Sequence, residues 1–211
     1  MFIIDLDNTL MDTHGKFRNA RIKALEKIGV SRDLYDETRK DAHDGENGEG
    51  IYDNSRHAKA LSLFGFDEKK VYEALMESLK PEIIKTCLYP DAIDFLKKIK
   101  KIGKPIILLT FGNPIFQEQK IKALDLEKYF DRMIFTNQKK TEKLTEIMDS
   151  ISSRPAWFIN DRIVENLEAK KLFSELKVAQ TVFPFVSEDE YQSSGLPYFK
   201  TLTEIYDFIT K

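Results

Sequence analysis

The chain of 211 residues holds a single cysteine, Cys87, and three histidines. One cysteine cannot close an internal disulfide, so a reducing compartment is the expected setting. An excess of one charge is missing as well, since 33 Lys and Arg face 35 Asp and Glu. No basic stripe stands out, which leaves no electrostatic case for a nucleic-acid partner. Long apolar runs are also lacking. Beyond the N-terminal stretch the longest is Ile106–Leu109, far short of a membrane span. The N-terminal run itself carries Asp5 and Asp7, which a signal peptide would not. There is no internal repeat and no low-complexity tract. These absences lead to the expectation of a soluble, cytoplasmic protein with neither membrane nor nucleic-acid partners, monomeric or homodimeric. The length fits one domain with an insertion, or two small ones.

What is present starts at the N-terminus, with Met1-Phe2-Ile3-Ile4-Asp5-Leu6-Asp7-Asn8-Thr9-Leu10. A continuous apolar run reads as a strand buried on both faces, as in a parallel sheet. Asp5 and Asp7 then fall at its carboxyl end, where open α/β sheets bind ligands. Two close carboxylates are costly unless a cation or a shared proton offsets them. The plainer reading is a turn, because Asp, Asn and Thr are ordinary turn formers.

Residues 12–85 read as all-helical. Phe17, Ala20, Ala24, Leu25 and Ile28 mark one helix face, closed by Gly29. Further helices are expected at 31–42, 54–64 and 67–80. The glycine-rich stretch 44–50 separates two of them and reads as a connector. From Pro90 onward, short apolar runs alternate with helical segments. Strands are expected at 105–110, 132–136, 156–160 and 177–182. Helices are expected from Asp91 as cap to Lys101, from Asn113-Pro114 to Leu124, from Thr141 to Ile151, and from Ile163 to Phe173. Thr201 and Glu204 have the spacing of a capping box opening a last helix. This grammar implies an α/β fold, a Rossmann-like, mostly parallel sheet with helices on both faces. The core domain would be 1–11 and 86–211, and the helical cap domain 12–85.

Parallel strands bring four chemically equipped ends to one side. The first offers Asp5 and Asp7. The second offers Thr110-Phe111-Gly112-Asn113, a hydroxyl and a turn into a helix whose N-terminal N–H groups favour phosphate. The third is followed by Gln138-Lys139-Lys140-Thr141, and the fourth by Asn160-Asp161-Arg162-Ile163-Val164-Glu165. Each has a bland rival: a strand-end threonine can simply serve a turn, lysines near helix starts are usually solvated, and Asp161 can be a helix cap. Asp161 and Glu165 at i, i+4 nevertheless share a helix face.

Taken together and in order, these segments resemble the signature motifs of the haloacid dehalogenase-like hydrolase superfamily, in its phosphatase branch with a helical cap inserted after the first strand. The resemblance implies a Mg2+-dependent phosphomonoester hydrolase acting on a small phosphorylated metabolite. Asp5 would be the nucleophile forming an aspartyl-phosphate, and Asp7 the general acid and then base. Thr110, with Phe111 and Gly112, would bind the phosphoryl group. A lysine would offset the charge, Lys140 before Lys139 or Lys143 because Thr141 reads as the next helix's cap. Asp5, the backbone carbonyl of Asp7 and Asp161 would hold Mg2+, with Glu165 a more distant partner. Thr9 would support the strand end. Two departures stand out: Asn160 replaces the usual glycine, on the expectation that asparagine tolerates a left-handed backbone, and Glu165 replaces the usual aspartate. The resemblance also admits a phosphomutase or phosphotransferase. A catalytically silent phosphate-binding domain and a receiver-type signalling domain are the rivals from other classes; the latter is disfavoured because no acid follows the third strand at Thr136-Asn137. Dehalogenase activity is disfavoured by Asp7. Selectivity would come from the helical insertion, with His14, Lys16, Arg18, Arg21, Arg56 and His57 as candidates, although charges on small helical domains are mostly solvated.

Overall fold

The structure is a computed structural model, and it describes residues 1–45, 50–149 and 155–211. In chain order the helices are α1 (Arg18–Glu26), α2 (Arg32–Arg39), α3 (Asn54–Ser62), α4 (Glu68–Glu77), α5 (Pro81–Ile84) and α6 (Ala92–Lys101). They continue with α7 (Pro114–Leu124), α8 (Lys140–Asp149), α9 (Ile163–Leu172), α10 (Glu188–Ser194) and α11 (Leu202–Ile209). The strands are β1 (Phe2–Ile4), β2 (Ile106–Phe111), β3 (Arg132–Thr136), β4 (Trp157–Asn160), β5 (Lys177–Thr181) and β6 (Tyr198–Phe199). Two compact units emerge. One comprises Met1–Asp12, Leu88–Phe111 and Leu126–Lys211; the other comprises Thr13–Cys87 and Gly112–Asp125.

The first unit is a Rossmann-like α/β fold. Its sheet has the order β3-β2-β1-β4-β5-β6, and every pair is parallel. The chain steps outward from β1 through β2 to β3, then crosses to the other side of β1 for β4. β1 and β4 therefore flank the topological switch point, the place where such sheets leave a crevice at their carboxyl ends. One face of the sheet buries Ile3, Ile107, Leu109, Phe158 and Val178 against Leu144, Ile147 and Met148 of α8 and Ala169 of α9. Residues of the opposite phase, Ile4, Leu108, Ile159 and Ala179, are equally buried. On that side the half-buried Trp157 meets Phe208 of α11 edge-on at 5.7 Å, and α11 packs against α6. Each such apolar side chain contributes roughly 1.5–3 kcal/mol on burial. This two-sided burial is why β1 reads as an unbroken apolar run.

Local chemistry departs from the sequence expectation at several points. Asp91 makes no side-chain cap to α6. Its Oδ2 instead accepts from the amide and hydroxyl of Thr203, at 2.8 and 3.0 Å, tying down the first turn of α11. The capping box of Thr201 and Glu204 is present. So is a second box, Ser187 with Glu190, which opens α10. α5, α10 and β6 had no counterpart in the sequence reading. Thr141 lies inside α8, which begins at Lys140, and is no cap. The connector at 46–49 and the expected end of that helix at Ile151 lie outside the described residues.

The second unit is helical among its described residues. A π-type turn at Thr13–Phe17 leads into α1. Ser31, Asp53 and Asp67 cap α2, α3 and α4 through their side chains. Ile22, Leu25, Tyr35, Ala58, Leu61, Val71 and Leu75 form its core. The segment Gly112–Asp125, with α7, belongs to this unit. No helix among the described residues is long and apolar enough to cross a membrane.

Candidate active site

β1 ends in a tight turn. The amide of Asp5 still donates to Ile159 O at 3.0 Å, so Asp5 sits beside the end of β4. Leu10 N and Met11 N then fold back onto Leu6 O, and Asn8 adopts a left-handed backbone at φ 56°. The turn is pinned from β5. The hydroxyl of Thr181 donates to Asn8 O at 3.2 Å, which leaves the Thr9 hydroxyl to donate to Thr181 Oγ1 at 3.3 Å. Asp7 stands half-buried on this turn.

Lys140, the first residue of α8, is buried at the ends of β1 and β4. Its ammonium lies 2.9 Å from Asp5 Oδ1 and 3.1 Å from Glu165 Oε2, and it donates to Asn160 Oδ1 at 2.9 Å. Asp5 Oδ1 has no well-directed hydrogen bond among the described residues, so the ammonium meets it as an ion pair. Lys139 is exposed, and Lys143 pairs with Glu146 on the outside of α8. Glu165 is shared, because its Oε1 also meets Arg162 at 2.9 Å. Both of its oxygens are thus engaged by cations.

Asn160 corrects an expectation. It is absent from the left-handed residues, which among the described non-glycines are Asn8 and Asp125. Its backbone is simply the last of β4, and its side chain does the structural task. Besides accepting from Lys140, its amide donates to Glu165 Oε2 at 3.2 Å and to Asn166 Oδ1 at 3.1 Å. Asn166 donates onward to Asn160 O and to Gln180 Oε1, and Gln180 donates to Ser194 Oγ and Leu196 O. A ladder of buried amides therefore fixes the lysine from below. Sequence reading missed Asn166 and Gln180. The available signal was polar residues at positions where a buried helix face and a buried strand should be apolar.

The electrostatics follow from burial. Asp5 is only 2% exposed and Asp161 only 6%. Burial pushes the Asp5 carboxyl up to about 6 although Lys140 opposes it, and Asp7 and Glu165 push it further. Burial, and next the charge of Asp5, push Asp161 up to about 7. For Lys140 burial acts downward, but Asp5, Glu165 and Asp161 outweigh it and raise its pKa. The site thus holds more carboxylate than its one buried lysine can neutralise.

Among the described residues no cluster of three or more His, Cys, Asp or Glu side chains forms a metal site. Two buried, undercompensated carboxylates next to a backbone turn nonetheless suit Mg2+, which is held by one or two carboxylates and keeps its waters. Thr110, fully buried at the carboxyl end of β2, has a hydroxyl with no hydrogen-bond partner among the described residues. A hydroxyl orphaned in this way costs on the order of 1–3 kcal/mol. Phe111 ends β2, half-buried. Gly112 belongs to the helical unit and has φ +146°; a Cβ there would meet Gln117 Nε2 at 2.7 Å. The expected free N-terminus of the following helix is not free. Asn113 Oδ1 accepts from Ile115 N and Phe116 N at 3.0 and 3.2 Å, so these donors are spent on the cap.

Among the specificity candidates, Lys16 and Arg56 are exposed, and His14 is half-buried. Arg18 pairs with Asp36, and Arg56 lies 3.9 Å from Asp44. Arg21 and His57 are buried, against the expectation of solvated charge for Arg21.

Comparison with known proteins places this geometry. Many solved structures share the fold, three of them as follows. A predicted phosphatase from Clostridium acetobutylicum matches at TM-score 0.62 and 20% identity, over 99% of this chain and 97% of that one. A structure described as a beta-phosphoglucomutase from Thermotoga maritima matches at 0.69 and 19%, over 99% and 97%. The hydrolase YfnB from Bacillus subtilis, bound to magnesium, matches at 0.66 and 15%, over 100% and 98%. No curated protein matches the chain. The family model for haloacid dehalogenase-like hydrolases matches residues 1–149, and with the sheet order and the acid–lysine cluster at its switch point, the chain belongs to that hydrolase family.

Proposed function

We propose that the protein is a phosphomonoester hydrolase working through an aspartyl-phosphate at Asp5. The observation that carries this reading is the buried Asp5 carboxylate 2.9 Å from the Lys140 ammonium, at the switch point of a sheet that also ends in the orphaned Thr110 hydroxyl. A carboxylate is a weak nucleophile, and it becomes competent when fixed cations and donors offset charge on the phosphoryl oxygens. Lys140 supplies the cation, and Thr110 supplies an unused donor at the phosphoryl position. Glu165 and the Asn160 amide hold Lys140 in place.

In the first half-reaction Asp5 attacks phosphorus, the ester P–O bond breaks, and Asp7 gives its proton to the departing alcohol. In the second, Asp7 takes a proton from water, the water oxygen attacks phosphorus, and the bond to Asp5 breaks to release inorganic phosphate. Mg2+, held by Asp5, Asp161 and the Asp7 carbonyl, would supply the positive charge that these carboxylates lack. The relative bound to magnesium supports that choice of metal, and the relative named a phosphatase supports the reaction class. The substrate would be a small phosphorylated metabolite. Hydrolysis of p-nitrophenyl phosphate with and without Mg2+ tests the reading. Metal-dependent release of phosphate, lost in Asp5→Asn, is expected. A folded protein inert with every divalent metal, or an Asp5→Asn variant that still turns over, would overturn it.

A further inference from the structure

Arg21 is 4% exposed, yet no carboxylate among the described residues meets it. A guanidinium stays charged in any protein, and an unpaired buried charge costs several kcal/mol. Both of its hydrogen bonds run through Nη2, to Tyr52 Oη and to Asn54 Oδ1, the latter at 2.7 Å. Its Nε, buried, has no hydrogen-bond partner among the described residues. Three rings surround it, with the guanidinium carbon 4.2 Å from the Tyr52 centroid, 5.7 Å from Phe17 and 5.8 Å from Phe116. Cation–π contacts of this kind offset only part of the desolvation.

The surroundings do not supply the missing anion. Tyr52 Oη accepts from Arg21, so its own proton goes to His57 Nδ1 at 2.7 Å. His57 Nε2 then donates to Thr38 Oγ1 at 3.0 Å, and Thr38 donates to Leu34 O at 2.7 Å. This is the direction in which every proton has an acceptor. Burial, reinforced by Arg21 and Arg39, lowers the pKa of His57 to about 3, so the ring is neutral. Asp53 is engaged elsewhere. Its Oδ1 caps α3, and its Oδ2 accepts from Asn113 at 3.2 Å. A second buried cation, Lys120, lies over the same Phe17 and Phe116 rings at 5.9 and 5.6 Å. Of the residues around Arg21, Tyr52 and Phe116 are only half-buried.

We propose that Arg21 is the anchor of an anion-binding site within the helical unit, taking the oxyanion of a small organic ligand whose body lies against Tyr52 and Phe116. Nε–H is the unused donor of a guanidinium, a group suited to planar or tetrahedral oxyanions. The ligand class is a compact carboxylate or phosphate with a flat or apolar body. The site rests on the helical unit alone and stands whether or not the phosphatase reading holds.

The test follows the Arg21 Nε–H resonance in the 15N spectrum of the full chain, assigned by its loss in Arg21→Lys. Benzoate and inorganic phosphate are titrated separately, into the native protein and into Lys140→Ala. A saturable shift of this resonance in both proteins is expected with at least one probe. Benzoate alone identifies a carboxylate site, and phosphate alone a phosphate site. An unmoved resonance with both probes to tens of millimolar overturns the proposal, as does a shift that vanishes in Lys140→Ala. Thermal unfolding of Arg21→Met is the second readout. It is expected to melt no lower than the native protein and to lose the stabilisation by the effective probe. A variant that keeps that stabilisation overturns the site.

Discussion

The two units each bury a cation, and they treat it in opposite ways. Lys140 has two carboxylates within 3.1 Å, a third raising its pKa, and an amide ladder beneath. Arg21 has a phenol, an amide and three rings, with no acid in contact among the described residues. Buried charges persist when their surroundings compensate them. Lys140 is compensated by its own chain, in excess, so the α/β unit is short of positive charge. Arg21 is uncompensated, so the helical unit is short of negative charge. The first imbalance suits a metal and a phosphoryl group that brings its own donor requirement to Thr110. The second suits an organic anion.

The comparison is broken most severely by removing the proposed nucleophile. Asp5→Asn keeps the shape of the site and should drop p-nitrophenyl phosphate turnover to background, a loss on the order of a million-fold for removal of a nucleophile, read in steady-state assays. Next comes stability. Lys140→Met leaves Asp5 buried without its cation and Glu165 with Arg162 alone, and should cost about 3–5 kcal/mol in urea unfolding. Arg21→Met removes a charge that nothing pairs and should be neutral or stabilising. Equal losses in the two variants would remove the distinction between the units.

pH sharpens the same contrast. Asp5 and Asp161 have folded pKa values raised to about 6 and about 7, so the folded protein binds protons more tightly than the unfolded chain does. Their contribution is fully present below the ordinary carboxylate range and is lost as pH climbs through about 6 to 7. Without divalent cation, the melting temperature should therefore fall across that rise, by a few kcal/mol of stability. Asp5→Asn should flatten the fall, and Mg2+ should offset it. Smallest in stability is Thr110→Val. It deletes a buried hydroxyl without a partner among the described residues, so the variant should unfold no more easily than the native protein, while turnover drops roughly 100-fold if the hydroxyl serves the phosphoryl group.

Much of this was legible in the chain. Short apolar runs bounded by turn residues reveal β1 to β5, because a sheet covered on both faces requires them. β6 is two residues long, and α10 is polar along its length, so neither has a periodicity to read. The Ser187–Glu190 spacing was the overlooked signal for α10. Asp5 and Asp161 could be named as candidates because acids at strand ends are conspicuous, and Lys140 because the family resemblance implies a lysine just before the helix that follows the third strand. The role of Asn160 could not, since a backbone explanation was available and its side-chain partners are distant in sequence. Arg21 was misread as a solvated charge. Yet it falls four residues after Phe17 and four before Leu25, inside the apolar stripe of α1, and a charge in that stripe must be buried with something.

The most direct test of the central claim is to quench the enzyme in acid during turnover of a phosphomonoester and map the phosphoryl group by peptide mass spectrometry. The account predicts a phosphoryl group on the peptide carrying Asp5, on the Asp5 carboxylate, and none in Asp5→Asn. Label on another residue, or undiminished turnover in Asp5→Asn, would contradict it.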